Sequence, residues 1–431
     1  MNDRQSAFKI LNKIEKDKAY TNLLLDSYLK SNADNVYSTS FVTALVYGVT
    51  ERLITLDYIL SKYLRQPIKK LKPEVLTILR MGAYQLKFMD SVPNSAAVNE
   101  SVKLAKNNGC AFASGLVNSV LRKVSADKLE YPKTDDPVYD MSIRYSCPYD
   151  LVSHYCKDYG EENAEGILSC SIGEQRIFAR VNTLKTDFDS LKRSLENEKT
   201  EISPCESIEN HFEFKTHCAV ERLPQFSDGL FHVQDIASAI CVKSLELDEN
   251  MTFIDVCSAP GGKTFTAAQY MNNKGKIYAF DLYAHRVKLI SEGAERLGID
   301  IISAWQGDAL SLRKDLIGTA DRVLCDVPCS GLGVIGKKPE IRYKNLDLID
   351  KLTQTQYNIL INASEYLKPD GLLVYSTCSL NKAENEDVCD RFLSEHSNFE
   401  KHKDYLTLFP HINNSDGFFI AVFRRIEFGK N

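Results

Sequence analysis

From about residue 236 onward, short apolar runs alternate with segments whose apolar residues recur at helical spacing. The apolar runs have the length of buried strands. Alternation of this kind is typical of βαβ units, so the sequence predicts an α/β fold with a doubly wound, mostly parallel sheet. The predicted strands are residues 252–257, 276–281, 301–305, 321–326, 371–377 and 418–424, and the predicted helices are residues 263–272, 285–297, 346–367 and 384–396.

The N-terminal part of the chain has a different pattern. Residues 1–128 contain only helical spacings, which predicts an all-α bundle of five or six short helices. Residues 129–145 are polar and contain two prolines, which is typical of a linker. Residues 146–235 mix helical stretches, at 151–159 and 163–170, with strand-like ones and predict a small α+β module, so that residues 236–431 form the last domain.

Charge is distributed unevenly along the 431 residues. The net charge of −5 argues by itself against a polyanionic partner. Residues 1–125, however, carry 18 Lys and Arg against 10 Asp and Glu, a net charge of +8, whereas the remainder carries −13. A basic N-terminal segment on an acidic enzyme could attract a polyanion, or it could simply be a solvated helical surface.

The first strand of the predicted sheet ends in a glycine-rich turn, residues 257–264, that leads into a helix. The turn lacks the first glycine of a P-loop, because Cys257 occupies that position, and it lacks the Gly-x-Gly-x-x-Gly pattern of dinucleotide sites. S-adenosylmethionine (SAM) is the ligand that remains. Asp281 and Asp308 follow the next two strands, where carboxylates could accept from ribose hydroxyls and an adenine amino group, although each alone could be a helix cap.

Two cysteines follow two further strands. Cys329 lies in Asp326-Val327-Pro328-Cys329-Ser330-Gly331, and Cys378 lies in Ser376-Thr377-Cys378-Ser379. Ligands of open α/β sheets bind at the carboxyl ends of the strands, so both thiols should face one crevice. A thiol adds readily to an electron-poor ring, and a second thiol can act as a base. The pair therefore indicates chemistry on a pyrimidine.

These motifs resemble those of the RNA cytosine-5 methyltransferases of the NOL1/NOP2/Sun type. The turn Asp255–Thr264 is similar to the family's SAM loop, the two cysteine segments resemble its two cysteine motifs, and Glu384-Asn385-Glu386 also fits. Segments at 79–86, 97–100 and 115–122 are similar to a NusB-like RNA-binding domain. The combination is characteristic of a bacterial enzyme that modifies 16S ribosomal RNA.

The resemblance implies a Rossmann-like SAM methyltransferase domain and a role for each matching residue. Cys378 would be the nucleophile, Cys329 would assist product release, and Asp326 would contact the target base and the cofactor. A set of turn residues and strand-end acids would hold SAM: Cys257, Ser258, Ala259, Pro260, Gly261, Gly262, Lys263, Asp281 and Asp308. The implied partner is 16S ribosomal RNA or an assembly intermediate of the small subunit.

We expect RNA to be held by basic residues in two segments, and the small α+β module to assist. The residues of these segments are Lys62, Arg65, Lys69, Lys70 and Lys72, and then Lys337, Lys338 and Arg342. The first set could equally be a solvated turn. A base must be unstacked to reach such a pocket, which costs least in loops and bulges of RNA.

Other features limit the alternatives. No run approaches the ~18 apolar residues of a membrane span, so we expect a cytoplasmic monomer that uses neither a membrane nor a metal. The 12 cysteines include no Cys-x-x-Cys pair, so neither disulfides nor zinc are expected. Two alternatives stay open: a methyltransferase for small molecules or proteins, and an RNA-binding antitermination-type factor with a degenerate methyltransferase domain.

Overall fold

The computed structural model describes residues 3–17, 21–31, 38–196, 200–216, 219–344, 346 and 349–426. The chain divides into two units. Unit 1 comprises Met1–Gln175 together with Ile335–Lys344, and unit 2 comprises Arg176–Val334 together with Asn345–Asn431. The chain therefore enters unit 1 a second time, between the first cysteine motif and the last part of unit 2.

Unit 1 is helical throughout its described residues. A single apolar core, which includes Leu45, Leu56, Ile78 and Leu121, is completely buried among the first seven helices. The helices are α1 (Asp3–Asp17), α2 (Thr21–Ser31), α3 (Thr39–Glu51), α4 (Leu53–Ser61), α5 (Pro73–Phe88), α6 (Asn94–Asn107), α7 (Ser114–Ala126), α8 (Pro137–Arg144) and α9 (Tyr149–Cys170).

The structure moves two predicted domain boundaries. The predicted linker, residues 129–145, contains helix α8, whose N-cap Asp136 accepts from the backbone N–H of Tyr139. Beyond it, the Ser146 hydroxyl accepts from the N–H of Ile54 at 2.9 Å. Helix α9 also belongs to unit 1, so the small module begins near residue 176 rather than at 146. Local polarity could not reveal these contacts, because their partners lie about 90 residues earlier in the chain.

Helix α9 illustrates where the sequence did locate a break. Gly160 lies inside the helix with φ +82° and ψ 162°, a conformation that a residue with a Cβ rarely adopts. The break separates the two helical stretches expected from the apolar spacing, which end near Tyr159 and begin again at Asn163. A glycine at this position lets the chain change direction while both halves continue to bury apolar residues.

The first part of unit 2 is a small antiparallel sheet with strand order β2-β3-β1-β4. Phe212, Phe214 and Phe231 pack together in its core with ring centroids 5.9–6.1 Å apart. Its elements are β1 (Phe178–Val181), α10 (Phe188–Glu196), β2 (Glu201–Pro204), β3 (His211–Lys215), α11 (Pro224–Ser227) and β4 (Phe231–Val233).

The rest of unit 2 contains a seven-stranded mixed sheet, and it confirms the predicted fold class. Strands β5 to β9 are parallel, whereas β11 and β10 extend the sheet antiparallel. The elements are α12 (Ile236–Lys243), β5 (Thr252–Asp255), α13 (Gly262–Tyr270), β6 (Lys276–Asp281), α14 (Ala284–Leu297), β7 (Ile302–Gln306), β8 (Ala320–Asp326), α15 (Ile349–Glu365), β9 (Leu367–Thr377), α16 (Glu386–Glu395), β10 (Phe399–Leu408), α17 (Pro410–Asn413) and β11 (Phe418–Arg425).

The strand order β10-β11-β9-β8-β5-β6-β7 places the switch point between β5 and β8. From β5 the chain first adds strands on one side of the sheet, and then adds β8 and β9 on the other. A crevice forms outside the carboxyl ends of strands at such a point, and ligands bind there. Asp255 ends β5 and Asp326 ends β8, so both carboxyl groups belong to this crevice.

Within the seven-stranded sheet, β10 is the strand that the sequence did not predict. It lies at the edge of the sheet, where it pairs with β11, and most of its residues are at least partly exposed. Its sequence, Phe-Glu-Lys-His-Lys-Asp-Tyr-Leu-Thr-Leu, is mostly polar, because only the side that packs on the unit needs apolar residues. The apolar signal of a buried parallel strand is therefore absent.

Candidate active site

The glycine-rich turn after β5 is held by its own backbone and by two side chains. The Ser258 hydroxyl donates to the Phe280 carbonyl at 2.9 Å, and the guanidinium of Arg286 donates to the Ala259 carbonyl at 2.7 Å. Gly261 caps helix α13 with φ +108°, and a Cβ there would lie 2.4 Å from the ring of Phe265. Only glycine fits this position, so the turn approaches the crevice as bare backbone.

Two acids follow the neighbouring strands β6 and β7, as predicted. Asp281 is 3% exposed, lies 3.1 Å from the Arg286 guanidinium and accepts from the N–H of Tyr283. Asp308 is exposed, and one of its oxygens accepts from the N–H of Leu310 at 2.9 Å. Asp281 lies in register with Gln306 at the end of β7, so both acids belong to one edge of the sheet.

The surroundings of these acids suit an adenosine group. Leu282 and Tyr283 directly follow Asp281 and are about half exposed, at 48% and 52%. Carboxylates accept hydrogen bonds from ribose hydroxyls, while apolar and aromatic side chains favour the flat face of a base. The sequence did not single out Leu282 and Tyr283, because exposed apolar residues are common on any surface.

Strands β8 and β9 bring the two cysteine loops together. The strands are parallel neighbours, with Asp326 in register with Ser376, so the loops that follow leave the sheet side by side. The Sγ atoms of Cys329 and Cys378 lie 3.0 Å apart, and both residues are partly exposed thiols. Cys325, in contrast, is fully buried within β8.

Asp326 links this pair to the cofactor turn. Lys263, in the first turn of α13, donates to one carboxylate oxygen of Asp326 at 2.7 Å, and the Ser376 hydroxyl donates to the other at 2.8 Å. Burial lowers the pKa of Lys263, but the Asp326 carboxylate and its other negative neighbours outweigh burial and raise that pKa above its usual value. The pair fixes Asp326 at the end of β8, on the strand that leads into the first cysteine loop.

The surroundings of Cys329 act on its pKa. Its hydrogen bond with Cys378 and its burial raise the pKa of Cys329 well above that of a solvent-exposed thiol. Either sulfur can be the donor in this contact, so the two thiols share one hydrogen bond.

Comparison with known proteins identifies the family. Residues 242–424 match the model of the 16S rRNA methyltransferase RsmB/F family, and residues 1–126 match the NusB family. The probable ribosomal RNA small subunit methyltransferase B of Bacillus subtilis is 34% identical over 98% of both chains, and that of Synechocystis is 33% identical over 98% of this chain and 99% of its own. The chain belongs to the ribosomal RNA small subunit methyltransferase B family.

A solved structure agrees over the full length. The crystal structure of PH0851 superposes with a TM-score of 0.81, covers 98% of both chains and is 26% identical. The predictions of the family and of a NusB-like N-terminal domain are therefore confirmed. SAM is the cofactor of this methyltransferase family member, and the glycine turn, Asp281 and Asp308 supply the kind of groups that it requires.

The described residues contain neither a membrane-spanning helix nor a metal-binding cluster. Among them, no helix combines the length and hydropathy that a bilayer crossing requires. Within the same ranges, no group of three or more His, Cys, Asp or Glu side chains is arranged to hold a metal ion.

The basic residues predicted to contact RNA have different environments. Lys62, Arg65, Lys69, Lys70 and Lys72 are all exposed, at the connection between α4 and α5. Lys338 is exposed, and Lys337 is partly buried. These positions leave the first set accessible to a phosphate backbone, and their role in RNA binding stays a prediction.

Arg342 does not fit its predicted role. It is 1% exposed, and its guanidinium donates to five backbone carbonyls of unit 1, at distances of 2.9–3.4 Å. A side chain enclosed in this way cannot reach a phosphate. The structure therefore removes Arg342 from the RNA contacts and makes it a residue that anchors segment 335–344 within unit 1. The carbonyls belong to Glu51, Tyr145, Ser146, Ser171 and Ile335.

Glu384 is a buried residue whose place in the methyltransferase site the sequence did not reveal. It is 0% exposed and accepts hydrogen bonds from Ser330 and Ser379, the residues that directly follow the two cysteines. The sequence signal was the serine after each cysteine together with the later acid. That signal cannot be interpreted without knowing that the two loops meet.

Proposed function

We propose that this protein methylates C5 of a cytosine in 16S ribosomal RNA through a transient covalent bond between Cys378 and C6 of the base. The observation that carries the proposal is the pair of partly exposed thiols, 3.0 Å apart, beside the Asp326 carboxylate at the switch point of the sheet. Methyl transfer to nitrogen or oxygen needs no second thiol at this position.

The first step is addition of the Cys378 thiolate to C6 of the cytosine. C5 of cytosine is a weak nucleophile, and the new S–C6 bond breaks the ring's aromaticity and makes C5 enamine-like. A proton at N3, taken from solvent, favours this addition, and the carboxylate of Asp326, fixed by Lys263 and Ser376, is the group that would accept a hydrogen bond from that N3–H. Bound SAM supplies an electrophilic methyl group to C5.

The second step releases the product. C5 now carries both the new methyl group and its original proton. A base removes that proton, the electron pair reforms the C5–C6 double bond, and Cys378 leaves as a thiolate. The base is a water molecule beside Cys329, or Cys329 itself once its own proton has left, because the Cys329 sulfur is in contact with that of Cys378.

Two cysteine variants test the mechanism. Cys378→Ala removes the nucleophile and should abolish methyl transfer from tritiated SAM to 16S ribosomal RNA, whereas Cys329→Ala should accumulate a covalent protein–RNA adduct that survives denaturing electrophoresis. Cys170→Ala, at an exposed cysteine of α9, is the matched control and should behave as the wild type. Full activity of Cys378→Ala, or label on a nitrogen or oxygen atom, would contradict the proposal.

The target must also be located. Bisulfite sequencing of RNA treated with wild-type protein should show one protected cytosine in 16S ribosomal RNA. Running free RNA and small-subunit particles side by side separates the two substrates. RNA binding without any transfer of label would instead favour an antitermination-type binding protein with a degenerate methyltransferase domain.

We also propose that the exposed basic residues between α4 and α5 contact phosphates of that RNA. Lys69 and Lys70 form the short helical turn Ile68–Lys70 and are exposed. The variant Lys69→Ala/Lys70→Ala should weaken RNA binding and reduce the slope of log affinity against log salt by about 1 for each phosphate that the protein no longer neutralises. Lys288→Ala/Lys314→Ala, at exposed lysines of unit 2, is the control; an equal effect of both pairs would remove this surface from the proposal.

A further inference from the structure

Glu384 lies beneath both cysteine loops and receives five hydrogen bonds. One carboxylate oxygen accepts from the backbone N–H of Ser330 at 2.8 Å and from the Gln356 amide at 2.9 Å. The other accepts from the hydroxyls of Ser330 and Ser379 at 2.5 and 2.6 Å, and from the Asn381 amide at 3.2 Å. The residue is 0% exposed, so these donors replace its contacts with water.

The donors connect the carboxylate to each cysteine through one peptide bond. Ser330 directly follows Cys329, and Ser379 directly follows Cys378, while the two serine hydroxyls lie 2.8 Å from each other. The backbone N–H of Ser330 and both hydroxyls thus converge on one rigid group. No comparable connection is needed to hold the strands, because β8 and β9 already pair along their length.

The loops are fixed by a second set of contacts around the same residue. The N–H of Gly333 donates to the Cys378 carbonyl at 2.9 Å, and the Gln356 amide also donates to the Pro328 carbonyl at 3.0 Å. The hydroxyl of Tyr375 donates to the Glu384 carbonyl at 2.6 Å. Glu384 therefore joins both loops to strand β9 and to helix α15 as well as to each other.

We infer that Glu384 is a positioning residue that sets the separation and orientation of the Cys329 and Cys378 sulfur atoms. The inference deepens the proposed function and rests on it, since a base must be in reach when the nucleophile leaves. A carboxylate suits this task because it is an acceptor on both oxygens, whereas a glutamine of the same shape offers one acceptor and one donor group. The amide NH2 group of a glutamine would therefore face other hydrogen-bond donors at the position of one carboxylate oxygen.

The direct test measures sulfur geometry without any methyl transfer. Diamide takes two electrons from two adjacent thiols, which become a disulfide and release two protons to the reagent. We expect diamide to form the Cys329–Cys378 disulfide in the wild-type protein and to do so about tenfold more slowly in Glu384→Gln, because an intramolecular reaction depends on alignment. Mass spectrometry of the linked peptides, after alkylation of the remaining thiols, gives the rate.

The kinetic test separates positioning from binding. For Glu384→Gln we expect kcat to fall about 100-fold, because a displacement of a reacting group by about 1 Å lowers the rate by about that factor. The KM for RNA and the Kd for SAM should stay close to wild-type values. The matched control is Asp387→Asn, which changes an exposed acid three residues later and should alter none of these quantities.

A further variant keeps the inference testable if Glu384→Gln folds poorly. Ser379→Ala removes one hydroxyl donor and leaves the carboxylate in place, and it should slow disulfide formation in the same direction by a smaller factor. Misaligned sulfur atoms should form the disulfide more slowly. A folded Glu384→Gln variant that forms it at a rate within about twofold of the wild-type rate would overturn the inference. Wild-type protein that forms the disulfide but never methylates cytosine would overturn the proposed function instead.

Discussion

Two buried carboxylates of unit 2 are satisfied very differently. Glu384, on the cysteine side of the crevice, receives five hydrogen bonds. Asp255, on the cofactor side at the end of β5, accepts from the Thr264 hydroxyl at 2.7 Å, and its other oxygen is buried with no hydrogen-bond partner among the described residues. Burial accordingly raises the pKa of Asp255 to about 7.

This difference indicates how the two sides of the crevice are built. In the proposed reaction the cysteine side carries the reacting groups, whose positions matter to within a fraction of an ångström, and side-chain hydrogen bonds to Glu384 restrain this side. On the cofactor side the acids have fewer protein donors than Glu384, and they lie beside a glycine-containing turn. Under the proposed function, a carboxylate restrains the cysteine side, and the carboxylates of Asp281 and Asp308 accept from SAM on the cofactor side.

The largest expected effect comes from breaking the ion pair that joins the two sides. Asp326→Asn removes the charge opposite Lys263, and we expect kcat to fall by about 100-fold to 10,000-fold, the range for loss of an acid–base group. Single-turnover methylation measures it. The control is Asp321→Asn at the other end of β8, whose pair with Lys368 has the same 2.7 Å distance. A kcat equal to that of the control would exclude Asp326 from the reaction.

The next prediction concerns stability and pH. The pKa of Asp255 is raised from 3.8 to about 7, so between these values the unfolded chain has lost a proton that the folded protein keeps. Folding stability should therefore fall as pH rises from about 4 to about 7 and then level off, by up to about 4 kcal/mol.

Asp255→Asn should remove this fall, and the gain over wild type should increase with pH across the same range. Urea denaturation of the unit 2 transition at several pH values measures it. Asp300→Asn, at an exposed acid of the same unit, provides the baseline. A gain that does not vary with pH would show that Asp255 is ionised in the folded protein throughout.

The smallest effect sharpens the description of the cofactor side. Asp281→Asn should raise the Kd for SAM by about tenfold to 100-fold, the cost of losing hydrogen bonds to a charged group, with kcat unchanged at saturation. Asp308→Asn should have the weaker effect, because Asp308 is exposed and Asp281 is buried. Calorimetric titration measures both, and a reversed order would exchange the roles assigned to the two acids.

Much of the site could be predicted because it depends on local patterns. Strand length, helical spacing and the turn residues after a strand are encoded within a few residues, so the ends of β6, β8 and β9 were located correctly, whereas β5 ends at Asp255 rather than at residue 257. Those ends necessarily share one edge of a parallel sheet. For this reason the sequence alone predicts that both cysteines face one crevice.

Arg342 and β10 were misjudged for a common physical reason. Arg342 lies in a basic run, yet it is buried against carbonyls from residues as distant as Glu51. Strand β10 carries a polar sequence because it lies at an edge. In both cases the local sequence is polar. Only the folded chain shows that Arg342 is buried and that Phe399–Leu408 forms an edge strand.

The sequence by itself determined the parallel α/β order, the SAM turn and the identity of the two thiols, since each depends on residues adjacent along the chain. Only the tertiary structure decided that the thiols are in contact, that Lys263 pairs with Asp326, and that Glu384 lies beneath both loops. The cysteines are separated by 49 residues along the chain and the members of the ion pair by 63. Contacts over such separations require the folded sheet, which brings the ends of non-consecutive strands within hydrogen-bonding distance.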